Sequence, residues 1–591
     1  MLAEICLIIG ILILAAAVIS SILTVKVKYE KRRYLRPFNI LALGIVIASI
    51  LIFIPVYKDI FSGHQFCNIK SFIMSVHNTI RLFIVDGDFD IINNFTSTLP
   101  LSIAGVYSIY ASIIFVITPF FTFGFVLTFF QGVLAYERFV MGFFKDVYVF
   151  SELNTESLSL AQSLKENDQK RLIVFTDVYV KDENTYELQE KASQLNAICM
   201  KKDILEINFN RHSRNKEIKF FIIGDDDKEN INHMIKLAEK YGDKKKTWLY
   251  QFTDNIETHL SLSMICTKEM KVRCVRQEQA LINRILYEDG HRLFENAVRV
   301  NDKEKIISIV IVGMGKFGIN MLKSLAWFGQ MDGYKIQLDV FDKDSLAEDR
   351  FKGLCPELMS DKRNGISEEG EAEYRINIHS GVFTDTKEFA DEIMRLPYIS
   401  YAFVALGTDN ENIKAALNLR MIFERKKLKP VIQAVVFDSN VKKILTGIKN
   451  FRGESYNIEF VGDIESSYTE EVILNSELER EALKRHLLWG EEEEFWRYEY
   501  NYCSSIASAI HRKAKEVCNI PGTGKTAEEM TEEEKDIFRM LEHKRWNAYM
   551  RSEGYIYSGS LEKQSRNDIG KMHNNLVSYH LLSAEDKRKD V

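Results

Sequence analysis

The sequence has few of the residues that mark linkers, disulfide frameworks or nucleic-acid surfaces. Only 8 of its 591 residues are proline, and no Pro- or Ser-rich stretch separates its parts. Its 8 cysteines include no CxxC pair, which is typical of reduced thiols and argues against a disulfide framework or a zinc site. The net charge is −6, so the basic surface that nucleic-acid binding requires is missing. These absences indicate a reduced, cytosolic body with no nucleic-acid partner.

Hydrophobic residues are concentrated in the first 140 positions. Residues 5–25 and 38–57 carry no charge, and each is long enough to cross a bilayer core, which takes about 20 residues. A cleaved signal peptide is the alternative for the first stretch, but it lacks a basic n-region and a clear cleavage site. The basic loop at 26–36 is expected in the cytoplasm by the positive-inside rule. We therefore expect a multi-pass protein of the plasma (inner) membrane, with its N-terminus outside and its C-terminal body in the cytoplasm.

A third uncharged stretch runs from Ile91 to Tyr136. As one helix it would extend about 69 Å, more than twice the hydrocarbon core of about 30 Å. We expect a re-entrant or extracellular segment at 93–107 followed by a helix at 108–135. Two spans are the alternative, but they would put the C-terminal body outside.

A two-span core with a pore segment ahead of a cytosolic sensor is typical of ligand-gated cation channels, yet the TVGYG filter of potassium channels is absent. Seven phenylalanines between Phe115 and Phe130 suggest a hydrophobic gate, or side chains that face lipid and neighbouring helices.

A glycine-rich turn follows an apolar segment in the middle of the chain. Residues 306–312 predict a buried strand that leads into Gly313-x-Gly315-x-x-Gly318 and an amphipathic helix. A second predicted strand, 336–341, ends at Asp342. In this pattern the glycines allow a tight turn, close approach of a pyrophosphate and helix packing, and the acid suits a ribose hydroxyl. The pattern predicts a Rossmann domain, with dinucleotide binding and simple packing both open as roles for the turn.

An earlier segment repeats this plan without the glycines. Strands are predicted at 146–150 and 172–176, and Ser151, Leu153 and Glu156 stand where the glycines would be. Side chains there obstruct a pyrophosphate, so this copy is not expected to bind one. The segments FFIIGDDDKENIN (220–232) and FVALGTDNENIK (403–414) match each other. The spacing indicates a duplicated domain.

Two such domains behind apolar helices, each with a strand-Gly-x-Asp…Glu-Asn segment, resemble the TrkA-N domains that regulate potassium conductance, the RCK family. The resemblance covers about residues 146–465. It implies a homo-oligomer, dimeric or tetrameric, that senses nucleotides or ions in the Rossmann cleft, where Gly407 and Asp409 join the glycine turn. An NAD-dependent dehydrogenase is the enzymatic alternative, but no paired His and carboxylate in a substrate domain is evident.

The C-terminal hundred residues form a separate, mainly helical pattern. The phrase LEHKRWNAYM (541–550) with Glu553-Gly554-Tyr555, and the ending KMHNNLVSY (571–579), resemble the ryanodine-receptor repeat (RyR) domain. Glu542, Arg545, Trp546 and Tyr549 have the spacing of one helix face. An aromatic shelf beside a guanidinium and a carboxylate suits a nucleotide base and its phosphate, and Tyr555 and His573 join the expected site by the resemblance. The alternative is that Trp546 belongs to the core and that Glu542 and Arg545 hold loops.

We therefore expect a membrane protein with transmembrane helices (1–140), an α/β cytosolic body of two Rossmann parallel-sheet domains (145–295 and 303–485), and a small RyR-like domain (495–591). The expected function is a nucleotide-ligand-gated membrane effector or ion channel, which by family analogy alone belongs to prokaryotic signalling or antiviral defence. The expected ligand is a nucleotide or nucleotide-derived messenger, and NAD or ATP remain candidates. The alternatives are a potassium-transport regulator of the TrkA type binding NAD(H) or ATP, and a membrane-tethered nucleotide-modifying enzyme. No catalytic residues and no metal site are expected.

Overall fold

The computed structural model describes residues 2–26, 35–84, 86–179, 182–210, 212, 216–253, 269–301, 304–359, 374–450, 452–474, 477–526 and 528–587. The chain divides into two compact units. The first comprises residues 1–142, 178–189 and 198–201, and the second comprises the rest.

The N-terminal part of the first unit is helical. Its helices are α1 (Leu2–Lys26), α2 (Leu35–Ile60), α3 (Cys67–Phe83), α4 (Asp90–Thr96) and α5 (Leu101–Met141). Three segments are long and apolar enough to cross a membrane: Leu2–Ser20, Leu41–Ile60 and Leu101–Pro119. This confirms the expectation of three membrane-compatible helices near the N-terminus. Most of the basic loop that was expected in the cytoplasm, residues 27–34, lies outside the described residues.

The helix α5 is 41 residues long, which corresponds to about 62 Å. It begins at Leu101, just after Pro100, whose restricted backbone suits the start of a helix. A second proline, Pro119, lies inside the helix. The expected start was near Ser108, so residues 93–107 comprise the end of α4, a short connection and the first turns of α5. Side chains 120–135, and with them most of the expected phenylalanine gate, lie outside the described ones.

The helix α3 distributes its side chains opposite to a helix of a water-soluble protein. Its buried positions are mainly polar: Ser71, Ser75, Asn78, Thr79 and Leu82. Its exposed large side chains are apolar: Ile69, Phe72, Ile73 and Ile80. The buried amide of Asn78 donates to the Tyr57 hydroxyl, and the buried hydroxyls donate to carbonyls one turn earlier. An apolar medium around the helix favours this distribution, because water penalises exposed apolar surface.

The strands of the chain are β1 (Val147–Phe150), β2 (Leu172–Phe175), β3 (Ile198–Cys199), β4 (Ile218–Ile222), β5 (Thr247–Phe252), β6 (Lys271–Val275), β7 (Val298–Arg299), β8 (Lys305–Val312), β9 (Tyr334–Asp342), β10 (Tyr374–Ser380), β11 (Tyr401–Val404), β12 (Val431–Val435), β13 (Ile458–Val461), β14 (Ile556–Tyr557) and β15 (Met572–His573).

The remaining described helices are α6 (Thr155–Asn167), α7 (Glu183–Gln194), α8 (Asp227–Tyr241), α9 (Gln277–Glu288), α10 (His291–Glu295), α11 (Lys316–Phe328), α12 (Ala347–Leu354), α13 (Lys387–Arg395), α14 (Asp409–Arg425), α15 (Ser439–Thr446), α16 (Ile464–Ser467), α17 (Glu470–Ile473), α18 (Glu477–His486), α19 (Glu492–Arg497), α20 (Glu499–Val517), α21 (Glu532–Ser552) and α22 (Ala584–Lys587).

Two parallel sheets organise the second unit. Strands of the first sheet are ordered β2-β1-β4-β5-β6, and all of these pairs are parallel. The second sheet is ordered β10-β9-β8-β11-β12-β13, with β7 antiparallel to β8. Counted from β8, this is the 3-2-1-4-5-6 order of a Rossmann fold. Apolar runs such as Val147–Phe150 are fully buried, as expected for parallel strands covered on both faces. The two predicted parallel-sheet α/β domains are confirmed.

In each domain, the segment that follows the last strand of the sheet packs against the other domain. The helix α9, which follows β6, packs against α11 of the second domain in one shared core. In return, residues after β13 contact α6 of the first domain: the Glu470 amide donates to the Ser163 hydroxyl at 3.0 Å, and Arg171 forms an ion pair with the Glu470 carboxylate. The two domains are therefore interlocked by reciprocal exchange.

The C-terminal helices α20 and α21 also belong to this interlocked body. One apolar core contains residues from α9, α11, α20 and α21, including Leu281, Leu325, Ile510 and Leu541. A buried ion pair, with Arg551 Nε 3.3 Å from Glu357 Oε2, ties α21 to the segment after α12. The described residues of α20 and α21 thus share an apolar core with α9 and α11.

Candidate functional site

The glycine turn has the geometry that the sequence predicted. Gly313 has a φ of +100°, and a Cβ there would lie 2.3 Å from the carbonyl oxygen of Ala405. A Cβ on Gly318 would lie 1.8 Å from the carbonyl oxygen of Gly313. Gly315 is the N-cap of α11 without a side-chain cap, and a Cβ on it would meet no atom within 4 Å. Two glycines are therefore required by packing, and Gly315 faces open space at a helix N-terminus.

The other predicted residues of this cleft are bound to backbone groups. Asp342 accepts hydrogen bonds from the amides of Met314 and Asp344, at 2.5 and 2.7 Å. Gly407 has a φ of +114°. Asp409 accepts from the amides of Phe437 and Asp438, at 2.9 and 3.0 Å. Because β8 and β11 are neighbours, these residues meet where the strand order reverses, the usual ligand position of such sheets.

A second site is a groove of about 750 Å³ beside the C-terminal helices. Its lining comes from α18, α20, α21 and the C-terminal segments, and includes Arg485, Ser508, Glu542, Arg545, Trp546, Arg566 and His573. The volume lies in the range of small-molecule sites. The fold therefore brings four of the predicted residues together: Glu542, Arg545, Trp546 and His573.

The floor of the groove is a buried carboxylate surrounded by cations. Oε1 of Glu542 accepts from Arg545 Nη2 at 2.9 Å and from the Ser508 hydroxyl at 2.8 Å. Its Oε2 lies 3.4 Å from Lys515 Nζ. Glu542 is 7% exposed, while Arg545 and Lys515 are each 2% exposed. Nη1 of Arg545 has no hydrogen-bond partner among the described residues.

The charges of the floor do not cancel. Burial raises the pKa of Glu542, but Arg545, Lys515 and Arg485 outweigh burial and hold this pKa well below its usual range. Burial, opposed by Glu542, lowers the pKa of Lys515 to about 8. At neutral pH, one carboxylate thus faces three cationic side chains. A buried surplus of positive charge with an unused guanidinium donor favours an anionic ligand.

Aromatic side chains stand beside this floor. The Trp546 indole N–H donates to the Tyr500 hydroxyl at 3.2 Å, and the Trp546 and His573 rings meet edge-on with centroids 4.9 Å apart. Burial, together with Arg566, lowers the pKa of His573 to about 4, so its imidazole is neutral at physiological pH. Its Nδ1 accepts from the Asn575 amide at 3.0 Å, which leaves Nε2–H as a donor.

Two predicted residues do not line the groove. Tyr549 lines a different cavity. It lies two turns after Glu542 on α21, and its ring contacts Trp327 of α11. Tyr555 follows α21, and its hydroxyl lies 3.4 Å from Asp568 Oδ1.

Sequence reasoning missed the groove residues on α18 and α20. Ser504 and Ser508 of α20 line the groove, and Lys515 lies behind Glu542. Their spacing on α20 places them on one helix face, a signal that was available in the sequence. Arg485 had no local signal, since only tertiary packing brings α18 to the groove.

One further cluster among the described residues consists of side chains of the kinds that bind metal ions. Ligand atoms of Asp203, Glu229 and His233 lie within 4.8 Å of one another. His233 Nε2 lies 3.2 Å from Asp203 Oδ2, and Asp203 Oδ1 accepts from the Leu205 amide at 2.8 Å. These contacts give Asp203 and His233 a structural role, as an N-cap and its partner.

The sequence was compared with protein-family models and with curated proteins. No protein-family model matches the chain, and no curated protein matches it at a significant level.

Proposed function

We propose that this protein is a membrane-anchored receptor for a nucleotide-type ligand and acts as a ligand-gated membrane effector or channel. The observation that carries the proposal is the groove floor, where the Glu542 carboxylate faces Arg545, Lys515 and Arg485 beside Trp546. The phosphate of a nucleotide supplies the negative charge that this floor lacks, and the base suits the aromatic wall.

The membrane half of the proposal rests on the first unit. Three apolar helices are long enough to span a bilayer, and α3 exposes isoleucine and phenylalanine while it buries serine, threonine and asparagine. A bilayer around these helices removes the cost of the exposed apolar side chains. The helix α5 ends at Met141 and β1 begins at Val147, so a short connection links the apolar helices to the α/β body.

Ligand binding is tested on the full-length protein in detergent. Thermal unfolding is followed with cyclic and linear nucleotides, ATP, NAD and inorganic phosphate. We expect at least one nucleotide to raise the unfolding midpoint. Arg566→Gln and Arg485→Gln should weaken its binding about tenfold or more, because each removes a charge-assisted contact.

The control is Lys414→Gln, an exposed cation on α14 away from the groove, which should leave binding unchanged. The proposal fails if no nucleotide shifts the midpoint, or if both groove variants bind as well as the parent protein. Arg545 and Glu542 are less suitable first variants, since removing one member of a buried charge cluster also destabilises the fold.

Channel activity needs its own measurement. The protein is reconstituted in liposomes loaded with an ion-sensitive dye, and the nucleotide found above is added. We expect ligand-dependent ion flux that Arg566→Gln shifts to higher ligand concentration. The absence of flux with every bound nucleotide would reject the channel and leave a ligand-binding membrane protein.

A potassium-transport regulator of the TrkA type is the second candidate, favoured by the open position at Gly315, the N-cap of α11, which provides no side-chain cap. Binding of NAD(H) or ATP that Gly315→Ala abolishes and Arg566→Gln leaves intact would favour it, as would a co-purifying transport subunit. A nucleotide-modifying enzyme is the third candidate, and recovery of the ligand unchanged after incubation would argue against it.

A further inference from the structure

A second cavity lies where the exchanged segments of the two α/β domains meet the C-terminal helices. Its volume is about 430 Å³. Its walls come from β6 and α9 of the first domain, from α11 and residues 466–473 and 477–478 of the second, and from α20 and α21. Arg284 closes the junction, because its Nη1 donates to the Ser466 carbonyl at 2.6 Å. Cavities between domains of this size are common positions for small-molecule sites.

Two cationic side chains that line the cavity have few close hydrogen-bond partners among the described residues. Among the described residues, the guanidinium of Arg276 forms an ion pair with Glu499 Oε1 at 3.8 Å and contacts Cys503 Sγ at 4.0 Å. Lys323 of α11 lines the same cavity and has no hydrogen bond or ion pair among the described residues. Five N–H donors in a rigid fork suit a phosphate. Arg276 and Lys323 therefore offer cationic donors to an anionic group, in a lining that also includes the carboxylates of Glu288, Glu471, Glu477, Glu499 and Glu553.

The rest of the lining suits a polar aromatic group. Trp327 and Tyr549 form an aromatic wall, with ring centroids 6.4 Å apart. The amide of Asn283 lines the cavity, and its oxygen accepts from Gln279 at 2.8 Å, which leaves its N–H₂ group as a donor. The carboxylate of Glu553 also lines the cavity. Donors and acceptors next to an apolar wall match the edge and face of a nucleobase.

We propose that this cavity is a second ligand site, for a nucleoside monophosphate whose phosphate binds Arg276 and Lys323 and whose base packs against Trp327 and Tyr549. The site is independent of the groove, since the two share no lining residue. It differs from the groove in size, about 430 against 750 Å³, and so takes the smaller ligand. It also differs from the glycine turn, because Lys323 and Trp327 lie along α11 and not at its N-terminus.

Calorimetry on the full-length protein tests the site with AMP, GMP, CMP, UMP, the four nucleosides and inorganic phosphate. We expect one monophosphate to bind, and its nucleoside and phosphate alone to bind at least tenfold more weakly. Arg276→Gln should weaken the monophosphate about tenfold to a hundredfold, because a hydrogen bond to a charged group is lost. Lys323→Gln should weaken it less, since a lysine contributes a single mobile charge.

The matched controls are Lys414→Gln on the surface of α14 and Arg566→Gln in the groove, and both should bind the monophosphate as the parent does. The proposal is overturned if no monophosphate binds, or if Lys323→Gln and a folded Arg276→Gln keep the parent affinity. It is also overturned if Arg566→Gln alone abolishes binding. That last result would place the ligand in the groove and support the proposed function at the expense of the second site.

Discussion

The two α/β domains make the same strand–turn–helix connection with different chemistry. In the first, Asn154 caps α6: its Oδ1 accepts from the Ser157 amide at 2.8 Å, and the Ser157 hydroxyl accepts from the Asn154 amide at 2.9 Å. In the second, Gly315 occupies the N-cap of α11 with no side-chain cap. The first domain thus satisfies its helix N-terminus with its own side chains, and the second leaves this position open to an outside partner.

The two domains make similar hydrogen bonds after the strands β4 and β11, where each carries a Glu-Asn-Ile segment. Asn230 of the first is 2% exposed, and its amide bonds both the N–H and the carbonyl of Gly224, at 3.1 and 2.6 Å. Asn412 of the second is 1% exposed, accepts from the Leu406 amide and donates to the Val435 carbonyl at 2.8 Å. The repeated Glu-Asn-Ile segment therefore has a structural role in both domains. The buried asparagine is therefore common to both domains, whereas the N-cap of the helix after the first strand differs between them.

The largest expected effect is at Gly318. Gly318→Val should lower the free energy of unfolding by about 3 kcal/mol, because its side chain would overlap the Gly313 carbonyl. In a domain of this size that lowers the unfolding midpoint by about 6–12 °C. A comparison change in the first turn of α6, Glu156→Val, lies one residue before Ser157, the position that corresponds to Gly318, and should have an effect below about 1 kcal/mol. Equal midpoints for the two variants in differential scanning fluorimetry would show that the turns are not different.

The amide pair should give equal effects in both domains. Asn230→Ala and Asn412→Ala each remove a buried side chain with two backbone partners, and each should cost about 1–3 kcal/mol. Scanning fluorimetry of both single variants measures this cost. A loss confined to one variant would contradict a shared role, and the exposed Asn410→Ala on α14 serves as the control.

The cap residues should separate stability from binding. Asn154→Ala should cost about 1 kcal/mol, because the first turn of α6 loses its cap. Gly315→Ala should be neutral or slightly stabilising, since its backbone is extended and a Cβ meets no neighbour. If a dinucleotide binds at the turn, Gly315→Ala should abolish that binding, measured by calorimetry. A large loss of stability in Gly315→Ala would contradict the open position.

The smallest expected effect is the pH dependence that distinguishes the groove from the turn. Burial lowers the pKa of Lys515 to about 8, so between pH 7 and 9 the cation behind Glu542 loses its charge. Binding of an anion in the groove should weaken about three- to tenfold over this range. Above pH 8 the folded protein releases this proton before the unfolded chain does, so fold stability gains from rising pH while ligand affinity falls.

Isothermal calorimetry with a nucleotide diester, whose charge stays constant over this range, measures the effect. In Lys515→Met the pH dependence should disappear. A ligand held at the glycine turn should bind independently of this substitution, and a pH profile unchanged in Lys515→Met would place the ligand outside the groove.

Much of the α/β body could be predicted from the sequence. The expected strand at 306–312 corresponds to β8, Lys305–Val312, and the expected strand at 172–176 to β2, Leu172–Phe175. Buried parallel strands are recognisable because they are short apolar runs between turn residues. The start of α5 was less predictable, since Leu101 and Ser108 lie in the same uncharged stretch and periodicity alone gives no boundary within it.

The sequence alone determined that this chain joins apolar helices to a duplicated parallel-sheet fold, because local hydrophobic pattern and glycine placement specify these elements. Tertiary structure decided the rest. The exchange of α9 and residues 464–473 between domains, and the position of α21 between groove and cavity, depend on packing between segments far apart in the chain. For this reason Glu542 and Tyr549, neighbours on one predicted helix face, line different cavities, and Arg485, Lys515 and Arg276 were found only in the folded molecule.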